Sequence, residues 1–174
     1  MENQPTLRVA TVDDAELLST IAARLFEQAF GAMNTADDMQ AYLASAFTPA
    51  VQTAEIKLPD RTLLIAELAG DAVGYCSILR GSKTDSVIAE RPAEVERIYV
   101  DRTLHGKQVG DQLMNACVDR AKGWGCDVLW LAVWEENPRA IAFYERRGFL
   151  RVGKKTFQLG ADTQHDYVMA LALS

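Results

Sequence analysis

Two carboxylates and one strand-to-helix turn carry the most pointed chemistry in this sequence. Glu94 and Glu96 lie two apart in Glu94-Val95-Glu96-Arg97-Ile98-Tyr99-Val100, where alternating apolar and charged residues predict a half-buried strand with both carboxylates on one face. A carboxylate there serves as a general base toward an amine, directly or through water, or holds a cation; a solvated strand edge would read the same way. After a short loop, Asp101 to Leu104, comes His105-Gly106-Lys107-Gln108-Val109-Gly110 at the start of a helical stretch. A helix start offers unpaired backbone N–H groups and the positive end of its dipole, and glycines let a phosphate approach closely. An anionic ligand fits there, although a tight connection uses glycines in the same way.

Elements on either side must hold these groups in place. Thr6 to Ala10 alternates as a strand, and Thr11-Val12-Asp13-Asp14 opens a helix carrying Leu18, Ile21, Leu25 and Phe26. A second helix opens near Thr35 and stops before Pro49, while residues 50–60 read as an ambiguous, short helical piece. Leu63 to Leu68 and Val73 to Leu79 form an antiparallel pair around the turn Ala69-Gly70-Asp71-Ala72. The polar segment Gly81 to Pro92 leads into the strand Val95 to Val100. From Gly106 the pattern turns helical, with Met114, Cys117, Val118 and Ala121 on one stripe until Gly123 and Gly125. Asp127 to Val133 suits a strand covered on both faces, Pro138 opens a helix that Gly148 closes, and Phe149 to Phe157 and Tyr167 to Leu173 finish as strands. Alternating strands and helices with hairpins at both ends predict a mixed α/β or α+β sheet in one domain spanning residues 1–174.

Composition narrows the function. The 174 residues are 49% hydrophobic and 24% charged, enough to bury a core without metal or disulfide staples. A net charge of -6 with no basic run argues against nucleic acid and favours a cationic partner. The N-terminus has no basic region followed by an apolar core, and the longest apolar runs fall far short of a membrane span. Cys76, Cys117 and Cys126 are odd in number and lack CxxC spacing, which fits a reducing cytoplasm. His105 and His165 are the only histidines and form no ligand pair, so no metal is expected.

The stretch Leu129-Trp130-Leu131-Ala132-Val133-Trp134-Glu135-Glu136-Asn137-Pro138-Arg139-Ala140-Ile141-Ala142-Phe143-Tyr144-Glu145-Arg146-Arg147-Gly148-Phe149 completes a recognisable order of motifs. With the preceding turn it resembles the GCN5-related N-acetyltransferase (GNAT) superfamily over residues 94–149: a Q/R-x-x-G-x-G/A-like pyrophosphate turn, then N-x-x-A-x-x-x-Y-x-x-x-G-F. The chain departs from that pattern where Gln108 replaces a glycine and His105 stands in place of glutamine or arginine. With an ordinary helical φ and its N–H retained, Gln108 is expected to weaken anion binding only modestly. The run from Trp130 to Phe149, followed by Val152-Gly153-Lys154, Thr156 to Gly160 and Asp166-Tyr167-Val168-Met169, resembles the bacterial spermidine/spermine acetyltransferase branch.

The resemblance implies a mostly antiparallel sheet of about seven strands, flanked by helices, in which two parallel strands splay apart. Acetyl-CoA would lie in the gap, with its pantetheine arm along Ile98, Tyr99 and Val100. Its pyrophosphate would meet the backbone of His105, Gly106, Lys107, Gln108, Val109, Gly110 and Asp111, with charge from Lys107. Asn137 would contact the cofactor, and Ala140 and Phe143 would pack near it, although Phe143 fits a core equally well. The resemblance makes Tyr144 the acid that protonates the departing thiolate, although its helical spacing from Ile141 also suits a core position. Glu94 falls eleven residues before His105, the spacing of the catalytic glutamate in histone-acetylating members; Glu96 and Glu135 are the other candidate bases, and Ala132 stands where some relatives carry glutamate. An amine acceptor, a polyamine above all, and direct transfer in a ternary complex follow. A regulatory protein that binds acetyl-CoA without turnover is the alternative. Homodimers are common among similar proteins.

Overall fold

The computed structural model describes residues 4–174, so Met1 to Asn3 of the N-terminal reading lie outside the described residues. In chain order it runs β1 (Thr6–Val9), α1 (Ala15–Phe30), α2 (Ala36–Ala46), α3 (Pro49–Ile56), β2 (Arg61–Leu68), β3 (Asp71–Arg80), β4 (Pro92–Val100), α4 (Val109–Gly123), β5 (Val128–Trp134), α5 (Pro138–Arg146), β6 (Leu150–Leu159) and β7 (Asp162–Ala172). The strands form one seven-stranded sheet in the order β1-β2-β3-β4-β5-β7-β6. Every pairing is antiparallel except β4 with β5. This is the mixed α/β sheet with one parallel pair that the sequence predicts.

Local chemistry sets most of the boundaries. The Thr35 hydroxyl accepts the N–H of Asp38, and Thr48 caps α3 in the same way with Pro49 following, which settles the ambiguous segment as a helix. Ala69 and Gly70 both take positive φ, +52° and +88°, the pattern of a tight hairpin turn between β2 and β3. Two apolar layers then cover the sheet. Leu64, Ala66, Cys76, Ile78, Val95, Leu113, Met114, Leu131 and Ile141 pack beneath α4 and α5. Leu18, Leu25, Phe26, Phe47, Leu63, Ile65 and Tyr75 pack beneath α1 to α3. The continuous apolar runs in β2 and β5 reflect strands buried on both faces.

Two expectations need correction. The helix expected from Gly106 begins at Val109, because Gly106 and Gln108 both take positive φ and keep the preceding residues in turns. The final strand begins at Asp162 rather than Tyr167, paired with β6 from Leu159↔Asp162 onward. Its first half hides from a hydropathy reading because Gln164 and Asp166, both buried, are polar. Among the described residues no helix is long and apolar enough to cross a membrane.

Candidate active site

The site is built where β4 and β5 part. Their parallel register runs from Pro92↔Val128 to Val95↔Leu131 and stops, although both strands continue. Against β3, Ser77 pairs with Arg97 and Ile78 with Val95, so Glu96 is the extra residue of a β-bulge that turns β4 away. A cavity of about 680 Å³ fills the resulting gap, lined by Glu94 to Val100 on one side and Leu131 to Trp134 on the other. It reaches His105, Gly106, Gln108, Gly110 and Asp111 at the start of α4 and Asn137, Ala140, Phe143 and Tyr144 on α5. Almost every sequence-predicted site residue therefore borders one space. The exceptions are Lys107, outside the lining, Val109, whose side chain is buried in the core, and Glu135, which pairs with Lys154 at 3.6 Å instead.

At the head of α4 the first intrahelical bond from this turn is Gln112 N–H to the Gln108 carbonyl at 3.0 Å, leaving the N–H groups of Val109, Gly110 and Asp111 without backbone partners. That open set suits a pyrophosphate. Gln108 has φ +66°, in the left-handed region, which overturns the expectation of an ordinary helical φ. The backbone thus keeps the shape a glycine would take, and the side chain carries the strain. His105 Nε2 lies 3.0 Å from the Val100 carbonyl, so that nitrogen holds the proton. Burial, helped by the charge of Arg139, holds His105 below its ordinary pKa, which makes it a neutral element of the cradle. Positive charge comes instead from Arg102, Arg139 and Arg146 along the cavity. Asp111 is occupied by Arg147 at 2.8 Å, which ties α4 to α5 and keeps that carboxylate engaged.

The two strand glutamates share the cavity face as expected but live in different environments. Glu96 receives both ends of the Arg61 guanidinium at 2.7 Å and the Ser77 hydroxyl at 2.8 Å. Burial works to raise its pKa, yet the Arg61 bonds and charge outweigh burial and hold the carboxyl below its ordinary range. Glu94 has one hydrogen bond, from the Ser82 hydroxyl at 2.5 Å. Burial pushes it up, Ser82 takes back part of the rise and the Glu96 charge adds to it, so Glu94 ends above its ordinary range. Of the two, Glu94 is the carboxylate with proton affinity to spare.

Tyr144 is buried against Phe143 and Phe149 while still bordering the cavity, so the core and site readings both describe it. Burial, with a contribution from Cys117, raises its phenol pKa and keeps it protonated. Asn137 caps α5, its Oδ1 accepting the Ala140 N–H at 3.3 Å, and that cap fixes the turn leading to Tyr144. All three cysteines are free and buried, and Cys76 Sγ lies 3.5 Å from Cys117 Sγ in the core.

Several residues at the site escape a sequence reading. Arg97 and Glu55 form an ion pair bordering the cavity, with the guanidinium 5.9 Å from the Phe47 ring centre. Lys155 on β6 and Asp166 on β7 are register partners and line it too. Lys155 Nζ sits 5.6 Å from the Trp130 ring centre. Burial pushes Asp166 up to about 6, with Lys155 opposing. The one signal for these residues in sequence is the Asp166-Tyr167-Val168-Met169 run, which gives no hint of direction.

Comparison with known proteins agrees with this geometry. Residues 24–149 match the acetyltransferase (GNAT) family. An N-acetyltransferase of Mycobacterium bovis is 31% identical over 160 residues, spanning 92% of this chain and 98% of its own length. The N-alpha-acetyltransferase RimI of Mycobacterium tuberculosis is 30% identical over 148 residues, or 85% of this chain and 80% of its own. In fold, the chain is similar to the PaiA N-acetyltransferase of Thermoplasma acidophilum in complex with coenzyme A, with a TM-score of 0.77 at 18% identity over 97% of this chain and 99% of that one. The splayed strands, the open helix start and the ordered motifs therefore have one common explanation: the chain is an N-acetyltransferase and belongs to the acetyltransferase (GNAT) family.

Proposed function

We propose that this protein transfers the acetyl group of acetyl-CoA to a primary amine, a polyamine such as spermidine, by direct attack in a ternary complex. The observation that carries the reading is the contrast between Glu96, locked by Arg61 and Ser77, and Glu94, raised and lightly held, beside one cavity. Alkylamines have a pKa near 10.4 in water and arrive protonated, without a lone pair to attack. Glu94 takes that proton. The nitrogen then bonds to the thioester carbonyl carbon, the C–S bond breaks, Tyr144 gives its proton to the departing thiolate, whose conjugate acid has a pKa of about 8.5, and the second proton that the nitrogen sheds as the amide forms restores the phenol. Backbone N–H groups at Val109, Gly110 and Asp111 hold the pyrophosphate, and the unpaired edge of Ile98 to Val100 receives the pantetheine arm.

Charge supports the acceptor assignment. Of the carboxylates bordering the cavity, Glu55, Glu96 and Asp111 are matched by Arg97, Arg61 and Arg147, which leaves Glu94 and Asp166 as the seat for a cation. Tyr42, Phe47 and Phe157 offer apolar wall to a methylene chain. Three buried free thiols accord with a reducing cytoplasm. The test is thiol release from acetyl-CoA against spermidine, spermine, simple amines, amino acids and short peptides. Amine-dependent release led by spermidine is the expected result; silence across the panel with acetyl-CoA still bound calorimetrically removes the amine-acceptor reading.

A further inference from the structure

Asp166 is 8% exposed, borders the cavity and makes no hydrogen bond through its carboxylate to any described residue. Its carboxylate oxygens stay open to the cavity rather than sealed in the core, so they face that space with no protein donor, where a largely buried carboxylate is ordinarily met by one. Its surroundings supply little compensation. The charged and titratable groups that act on it are Lys155 across the β6 register, Glu135 beyond the end of β5 and His165 beside it on β7. Trp134 is its partner on the β5 side, and Ala132, one step along the same face of β5, borders the cavity as well.

Lys155 supplies the second observation. It is a primary ammonium on a four-carbon chain, resting over Trp130, and its charge acts on both Glu94 and Asp166. The protein's own side chain thus shows that an alkylammonium is accommodated over an aromatic face of this cavity, in register with Asp166 and without an ion pair to either carboxylate.

We propose that Asp166 anchors the acceptor's ammonium group and that Lys155 is a tethered competitor for the same seat, so that the two residues set acceptor affinity in opposite directions. The inference rests on the amine-acceptor reading and adds to it the residues that determine specificity. Asp166 receives the cation, Glu94 removes its proton, and Lys155 swings off as the acceptor settles. An acceptor with a second ammonium group gains further, because displacing Lys155 leaves both carboxylates to the incoming molecule.

The experiment measures kcat and KM for spermidine at saturating acetyl-CoA in the wild type, Asp166→Asn, Asp166→Glu and Lys155→Met. Loss of a charge-assisted contact is expected to raise KM roughly 10- to 100-fold in Asp166→Asn, well beyond any change in kcat, with partial rescue in Asp166→Glu. Lys155→Met is expected to lower KM roughly 3- to 10-fold. A rise in KM with Lys155→Met overturns the proposal, since it would make Lys155 a contact for an acceptor's carboxylate. An unchanged KM in Asp166→Asn, with the wild type active, overturns it as well. Thiol release absent from the wild type with every amine overturns the underlying amine-acceptor reading instead. Thermal melts of each variant separate these outcomes from loss of fold.

Discussion

Replacing Gln108 with glycine is expected to stabilise the protein while leaving acetyl-CoA affinity almost unchanged. Gln108 holds φ at +66°, where a Cβ crowds the backbone at a cost of about 1–2 kcal/mol. Glycine removes that cost and gives back roughly 0.5–1 kcal/mol through the greater entropy of its unfolded chain. The net gain is about 0.5–1 kcal/mol, which for a protein of this size is a rise in Tm of about 1–4 °C. The N–H groups facing the pyrophosphate belong to the backbone, and their arrangement is already the one glycine would take, so Kd is expected to move by less than about five-fold. Scanning calorimetry and titration of acetyl-CoA measure the two quantities on the same preparations. Gln108→Ala serves as the control, because it keeps the Cβ in the left-handed region and is expected to gain nothing. A lower Tm for Gln108→Gly, or an affinity gain of several orders of magnitude, would refute the reasoning, since either means that the glutamine side chain itself shapes the site.

The remaining predictions concern the carboxylates, the phenol and the loop that meets them. Glu94→Gln is expected to lower kcat by about 10²- to 10⁴-fold in steady-state assays, with most of the loss recovered at alkaline pH as more of the amine arrives unprotonated. Tyr144→Phe should reduce kcat more than it changes the KM for acetyl-CoA; equal turnover would remove the acid role. Glu96 lies below its ordinary pKa when folded, so its contribution to stability is complete above about pH 4.3 and is lost as pH falls through the folded value. Glu96→Gln should flatten that acid limb in melts taken across the range. Gly153→Ala places a Cβ 2.0 Å from Ser86 Oγ and 2.5 Å from Ser86 Cβ, which pushes the 81–91 segment off β6 and takes Ser82 away from Glu94. Overpacking of that kind costs about 1–3 kcal/mol and should appear as a lower Tm together with a shifted pH profile of kcat.

The local pieces of this protein are legible in the chain itself. Asn137 and Pro138 cap and start α5, Gly148 ends it with φ +93°, and Gly70 turns the β2–β3 hairpin, each through chemistry confined to a few neighbouring residues. Motif order supplied the parallel pair and the candidate residues. What depended on residues far apart stayed hidden. Glu94 and Glu96 are the same residue type on the same face, and only the sheet register brings Arg61 from β2 to one and Ser82 from the 81–91 segment to the other. The left-handed turn at Gln108 was hinted at only by the glycine that the resembled motif carries there, because a glutamine itself carries no mark of positive φ; the surrounding fold imposes it. Asp166 and Gln164 broke the alternation that marks strands because they border the cavity rather than a sealed apolar core. The sequence by itself determined which elements form and which groups are available for chemistry, since hydropathy period and capping act over a few residues. Tertiary structure alone decided which carboxylate has its proton affinity raised and which has it lowered, because that depends on desolvation and on charges brought together across the sheet.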